Sequence, residues 1–191
     1  MKLVLASKNQ KKLVEMRDIL SHMGVEVCLQ SDVGVDVDVE ETGTTFEENS
    51  LLKARAVMEA SGLPAIADDS GLCVDALGGA PGVYGGEGLD DTGRYRLLLE
   101  NMKGQPRGAK FVSVITCCFP NGDVLTARGE CPGTIAFAPM GEGGFGYDPV
   151  FFIPSLKKTF AQLTPEEKNA ISHRGKALEQ FQKELERYLK K

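Results

Sequence analysis

Apolar positions recur along this chain with two different periods, and the places where the period changes mark its elements. Lys2 to Ala6 is a short apolar run of strand length. The period then switches: Leu13, Met16, Ile19, Leu20 and Met23 return at three- and four-residue intervals, the spacing of one helix face, and Gly24 ends the run. Val25 to Leu29 is apolar again, so the chain opens as β-α-β. Thr45-x-x-Glu48 has the form of a capping box and predicts a second helix through "NSLLKARAVMEA", closed by Gly62 and Pro64. "LPAIADDSGL" reads as a buried strand whose polar residues begin abruptly at its C-terminal end, with a functional loop expected after it, because open α/β sheets place ligands there.

The second half continues the alternation. A glycine-rich turn after Pro81 leads into a helix from about Thr92 to Met102. Lys110 to Phe119 and Val124 to Cys131 are β-rich and meet across Asn121-Gly122, a strong hairpin signal. Thr164-Pro165-Glu166-Glu167 combines an N-cap, a proline at the first helical position and a glutamate at the third. A last helix from about Ser172 carries Leu178, Phe181, Leu185 and Leu189 on one face. The pattern predicts an α/β fold with a mixed sheet, since the hairpin requires an antiparallel pair. Residues 1–191 read as one domain, because no linker-like segment divides them.

Composition changes this picture in three places. A net charge of −5 argues against a general nucleic-acid binder, which needs a basic face to displace counterions from many phosphates. No apolar run approaches the roughly 18 to 20 residues of a membrane helix, and "MKLVLAS" turns polar too soon for a secretory signal. Cys28, Cys73, Cys117, Cys118 and Cys131 are odd in number and form no C-x-x-C pair, which suits buried thiols in a reducing compartment, hence the cytoplasm.

Candidate chemistry gathers in four segments. Ser7-Lys8-Asn9-Gln10-Lys11-Lys12 lies between the first strand and first helix, where free N–H groups and the helix dipole favour an anion such as phosphate. A capped, solvated helix start is the plainer account of it. Glu40-Glu41 and Asp68-Asp69 offer a carboxylate from each of two segments, enough for a hard divalent cation that keeps most of its waters; acidic residues ahead of a helix are also favourable with no ligand. Lys168 with Ser172-His173-Arg174-Gly175 offers cations and an imidazole for phosphate or ring carbonyl oxygens, or for capping the last helix. "GEGGFGYDPVF" brings glycines, two aromatic rings and Asp148 together, parts that suit a flat heteroaromatic ligand or a glycine-rich turn over the core.

The segments "SKNQKKLVEM", "EETGTTFEENSLLKARAV", "PAIADDSGLCVDALGGAPGVY", "GGFGYDPVF" and "LTPEEKNAISHRGKAL" resemble, in order and spacing, the Ham1/RdgB-like inosine triphosphate pyrophosphatases. The resemblance covers essentially the whole chain. It implies a homodimer built on an elongated mixed β-sheet flanked by helices, with two lobes and a central cleft. It also implies magnesium-dependent hydrolysis of non-standard purine nucleoside triphosphates (ITP, dITP, XTP) to the monophosphate and pyrophosphate. Carried onto these residues, Ser7, Asn9, Lys12 and Lys53 would hold the triphosphate. Glu41, or its neighbour Glu40, and Asp69 would hold the metal. Asp69 would also take the proton of the attacking water, with Asp68 as the alternative, and Ser70 would touch substrate. Phe145, Gly146, Tyr147 and Asp148 would form the base pocket, closed by Lys168, His173 and Arg174.

One segment departs from the family pattern. After "APGVY" the family usually continues with Ser-Ala-Arg-Tyr before its Gly-Glu, whereas this chain reads Tyr84-Gly85-Gly86-Glu87-Gly88, several residues short and without the arginine. Two alternatives follow: a nucleotide-binding protein of the same fold with impaired catalysis, or a pyrophosphatase acting on other nucleotides.

Overall fold

The computed structural model describes residues 1–84 and 89–191. The shortened segment after Tyr84, Gly85 to Gly88, lies outside the described residues. β1 (Lys2–Leu5) buries Leu3, Val4 and Leu5 completely. α1 (Gln10–Leu20) is capped by Asn9, whose Oδ1 accepts from the Lys11 N–H at 2.9 Å, and it ends in a 3-10 turn closed by Gly24 at φ 69°. β2 (Glu26–Leu29) returns parallel to β1, with Lys2 opposite Glu26 and Leu5 opposite Leu29. α2 (Phe46–Ser61) starts at Thr45, whose hydroxyl oxygen accepts from the Glu48 N–H at 3.1 Å. The Glu48 carboxylate reaches back to the Thr44 N–H at 2.7 Å, one residue earlier than a reciprocal capping box has it.

β3 (Ala65–Val74) pairs parallel to the other edge of β1, with Val4 opposite Ala65. α3 (Asp91–Asn101), β4 (Gly108–Cys118) and β5 (Val124–Ile135) follow, and Gly122 makes the turn between the two strands at φ 94°. β6 (Phe151–Ile153) and β7 (Lys158–Thr159) extend the sheet antiparallel, and α4 (Pro165–Ile171) and α5 (His173–Leu189) close the chain. The strand order is β2-β1-β3-β4-β5-β6-β7, a mixed sheet as expected.

The structure departs from or adds to the expectations at three places. The strand expected to end at Leu72 runs on to Val74: β3 continues through Asp68 and Asp69, and Leu72 and Val74 resume full burial on the far side of the polar pair. β6 and β7 carry no sequence signal, since three and two residues are too few for a period to register. Leu189 is 53% exposed; as the last residue of α5 it stands past the stretch packed by Leu178, Phe181 and Leu185.

The chain forms two compact units. Unit 1 comprises Met1–Asp69, Ser113–Gly129 and Arg174–Lys191; unit 2 comprises Ser70–Val112 and Glu130–His173. In unit 1 the strand alternation sorts the core into two layers. Leu3 and Leu5 join Met16 and Leu20 of α1 and Phe181 and Leu185 of α5, while Val4 and Ala6 join Ala54 and Val57 of α2. Unit 2 has one cluster, in which Leu72, Val74, Leu98, Phe111, Phe151 and Phe160 meet. Among the described residues no helix is long and apolar enough to cross a membrane.

Phe181 is fully buried, so Phe181→Ala is expected to cost about 3–5 kcal/mol in urea unfolding, whereas Leu189→Ala stays within about 0.5 kcal/mol.

Candidate active site

The unit 1 site begins where β1 gives way to α1. The Ser7 oxygen accepts from the Asn9 N–H at 3.0 Å and the Asn9 oxygen caps Lys11, so the loop is held by its own side-chain oxygens. The Ser7 hydroxyl proton and the Asn9 amide N–H groups remain as donors. One turn into α1, Lys12 lies 3.3 Å from Asp68 Oδ2. Burial pulls the Lys12 ammonium below its ordinary pKa, against the opposing pull of Asp68.

Asp68 is a saturated anion. Its Oδ1 accepts from the Ser113 hydroxyl at 2.6 Å, and its Oδ2 accepts from Arg174 Nε at 3.0 Å and faces Arg174 Nη2 at 3.0 Å as well as Lys12. Arg174 also pairs with Glu15 of α1. Burial alone would lower the Arg174 pKa, but Asp68 and Glu15 outweigh it and hold the guanidinium charged. The structure therefore brings Arg174 to Asp68 and Glu15 in unit 1, while Lys168 and His173 belong to unit 2. Ser113 lies in no motif, and Glu15 only within "SKNQKKLVEM" with no role marked out for it; their role rests on contacts 45 and 159 residues apart in sequence.

Asp69, the next residue, differs from Asp68. Oδ1 faces Lys53 Nζ at 3.5 Å, while Oδ2 is buried and accepts no hydrogen bond among the described residues. Burial, reinforced by Glu41 and Asp68 and opposed by Lys53, pushes its pKa up to about 6. Lys53 of α2 also reaches Glu41 Oε1 at 3.0 Å and donates to the Asp68 main-chain oxygen at 2.8 Å. A cavity of about 250 Å³ opens here, lined by Ser7, Lys12, Lys53, Glu41 and Asp38 among others. Its outer wall is the Val37–Glu41 stretch, tethered by the buried Gln30, whose amide donates to Val37 O at 2.8 Å. Glu41 lines this cavity and meets Lys53; no such contact ties Glu40 to it among the described residues.

These residues fit a hard divalent cation. Among the described residues no three His, Cys, Asp or Glu side chains converge on one point. Magnesium needs only one or two carboxylates, and the open Asp69 oxygen beside Glu41 supplies them.

The unit 2 group is built around Asp148, which is buried and accepts from the Phe145 N–H at 3.1 Å and from Lys168 Nζ at 2.8 Å. Gly144 stands at φ 70°, and a Cβ there would meet Asp148 Oδ2 at 2.1 Å, so only glycine lets the loop close on this carboxylate. The Gly146 N–H donates to Asp91 Oδ2 at 3.0 Å, a contact from the first turn of α3 with no sequence signal. Lys168 Nζ lies 4.8 Å from the half-buried Phe145 ring, and the His173 ring stacks on Phe111 at 4.6 Å. Tyr147 packs on the unit 2 core, and burial raises its phenol pKa against the pull of Arg94. Ser70 stands in β3, half-buried.

A profile of the Ham1 family matches residues 3–184. The chain belongs to the Ham1 family. It is 51% identical over 186 residues to the dITP/XTP pyrophosphatase of Shigella flexneri, covering 93% of this chain and 94% of that one. Two solved structures are similar along their whole length. The HAM1 protein of Coxiella burnetii has a TM-score of 0.90 and 44% identity, covering 98% of this chain and 99% of that one. The Ham1 protein of Staphylococcus aureus has a TM-score of 0.88 and 42% identity, covering 97% and 98%. The mixed sheet and the five helices are thus those of a Ham1 α/β protein.

The raised pKa of Asp69 has a consequence for stability. The folded chain keeps this proton up to about pH 6, whereas an unfolded aspartate releases it near pH 3.9. The folded state binds more protons between these values, so the metal-free protein loses stability as pH rises from about 4 through 6, by an amount on the order of 1–3 kcal/mol. Urea unfolding in chelator at pH 4.5 and 7 should show this loss for the wild type. Asp69→Asn should remove that part of the pH dependence.

Proposed function

We propose that this chain hydrolyses non-standard purine nucleoside triphosphates, ITP, dITP and XTP, to the nucleoside monophosphate and pyrophosphate. One observation carries the reading: Asp69 is a buried carboxylate with one oxygen facing Lys53 and the other open, in a Ham1 chain half identical to a dITP/XTP pyrophosphatase. Magnesium is the ion that suits Glu41 and Asp69, and when bound it supplies charge neutralisation on the phosphate oxygens. The 1–191 chain acts as one functional domain, as the extent of the family match suggests.

The chain's own residues divide the work. Ser7, Asn9, Lys12 and Lys53 donate to the triphosphate oxygens, and a positive cradle of this kind favours the charge that builds as pyrophosphate departs. Asp69 Oδ2 takes the proton of the water that attacks in line with the leaving pyrophosphate; no covalent intermediate is needed. Asp68 does not serve as this base, because Ser113, Arg174 and Lys12 occupy its oxygens. It holds Lys12 in place instead, and Arg174 acts through it.

The unit 2 residues take the purine. The Phe145 ring gives a stacking face, Gly146 and Tyr147 line it, Ser70 touches substrate, and Asp148 positions the Lys168 ammonium toward O6, with His173 beside it. Adenine carries an amino group at that position and leaves the donor unpaired, a mismatch of about 1–3 kcal/mol. The protein works as a cytoplasmic homodimer. The homodimer follows from the family resemblance, and the location is supported by five cysteines that stand as thiols.

The test is pyrophosphate release from ITP, XTP, GTP and ATP, with magnesium and with chelator. The expected result is magnesium-dependent release from ITP and XTP, weak release from GTP and ATP, and a loss of about 10²–10⁴ in kcat for Asp69→Asn, the range of a general base. Binding of ITP without release from any of the four overturns the enzyme reading in favour of a binding protein.

A further inference from the structure

Lys53 makes a set of contacts that phosphate binding alone does not require. Its Nζ lies 3.0 Å from Glu41 Oε1 and 3.5 Å from Asp69 Oδ1, and donates to the Asp68 main-chain oxygen at 2.8 Å. Three oxygens thus surround the ammonium: one accepts a hydrogen bond from it, and the other two are carboxylate oxygens in ion-pair range. Its side chain is only 14% exposed, which leaves little water to share the charge. The two carboxylates suited to the metal are thus already bridged by a cation of the chain itself.

The charges do not balance in this state. One ammonium offsets one of the two carboxylate charges, and the second Asp69 oxygen stays buried without a donor among the described residues. A hard divalent cation offsets both charges and prefers carboxylate oxygens as direct ligands. A divalent cation and an ammonium repel each other strongly at the separations these carboxylates allow. The ammonium has somewhere to go, because Lys53 lines the 250 Å³ cavity together with Ser7 and Lys12, the other candidate phosphate donors.

We infer that Lys53 is an internal counter-ion that holds Glu41 and Asp69 together in the metal-free chain, and that the divalent cation displaces it from the carboxylates toward the polyphosphate. This rests on the metal-dependent reading above and adds a coupling to it. Without metal, a triphosphate meets a lysine engaged by two carboxylates; with metal, it meets a lysine released to bind it. Metal and nucleotide therefore bind with positive cooperativity, and by linkage each raises the affinity of the other by the same factor.

The experiment follows Lys53 directly. Wild-type protein carrying ¹³C at lysine Cε and at the Asp and Glu carboxyl carbons is titrated with magnesium in the absence of nucleotide, with Lys53→Arg and Asp69→Asn used only to assign signals. The Lys53 signal is expected to move over the same magnesium range as the Asp69 and Glu41 carboxyls. In parallel, magnesium should raise the affinity for a non-hydrolysable ITP analogue about tenfold or more in the wild type and under about threefold in Lys53→Met, within the usual span of coupling between sites. Carboxyl signals that shift while the Lys53 signal stays still overturn the counter-ion role. If the wild type nevertheless releases pyrophosphate in a magnesium-dependent way, the functional reading survives that loss. No carboxyl shift together with no magnesium-dependent release brings down both.

Discussion

Unit 1 depends on the buried carboxylate of Asp68. A carboxylate in a protein interior is tolerated only when its lone pairs are met by strong donors, and leaving one unmet is more costly than forming the pair is favourable. Here Ser113 from β4, Arg174 from the start of α5 and Lys12 from the first turns of α1 all converge on it. Three segments far apart in sequence are thereby fixed to the middle of β3. The same anion sets where the lysine of the phosphate loop can point, so a structural requirement and a functional one are met by one group.

Adjacent aspartates on one strand point to opposite faces, and that alternation gives the pair two chemistries from one residue type. Asp68 faces Ser113, Arg174 and Lys12, which between them meet both of its oxygens. Asp69 faces Lys53 and the side on which α2 lies, with one oxygen held and one open. The difference between a positioning anion and a candidate base is therefore a matter of which face of β3 each occupies. A shift of one residue in the register of β3 against β1 would exchange their surroundings, which ties the chemistry to the parallel pairing of Val4 with Ala65.

Much of this was legible in the sequence because the signals are local. The Thr45 and Thr164 caps, the Asn121-Gly122 turn and the α5 stripe from Leu178 to Leu185 each rest on residues within a few positions of one another, and each lies where expected. What the sequence hid is non-local. Asp68 and Asp69 read as the polar end of a buried strand, but the sequence does not show the groups that meet them there, Ser113 and Arg174 for Asp68 and Lys53 for Asp69. His173 and Arg174 read alike, as ligand contacts or as caps of the last helix, yet one peptide bond separates an arginine buried against Asp68 from an imidazole stacked on Phe111. Glu15, Ser113, Gln30 and Asp91 had no signal because each acts through a partner that only the fold supplies.

The two units also solve different problems with the same device, a buried lysine–carboxylate pair. In unit 2 the Asp148–Lys168 pair is held at 2.8 Å, and the loop closes on it through Gly144 and the Phe145 N–H, so the lysine is fixed in direction. A fixed donor suits recognition of a flat base, where discrimination comes from leaving the wrong partner unpaired. In unit 1 Lys53 is shared among Glu41, Asp69 and a main-chain oxygen, and one of its partners, Glu41, is on an exposed stretch without regular secondary structure. Distributed contacts of that kind are easier to exchange than one enclosed pair. In the proposed reaction, rigidity falls where a base has to be told from its analogues, and exchangeable pairing falls where charge has to be handed from carboxylate to phosphate.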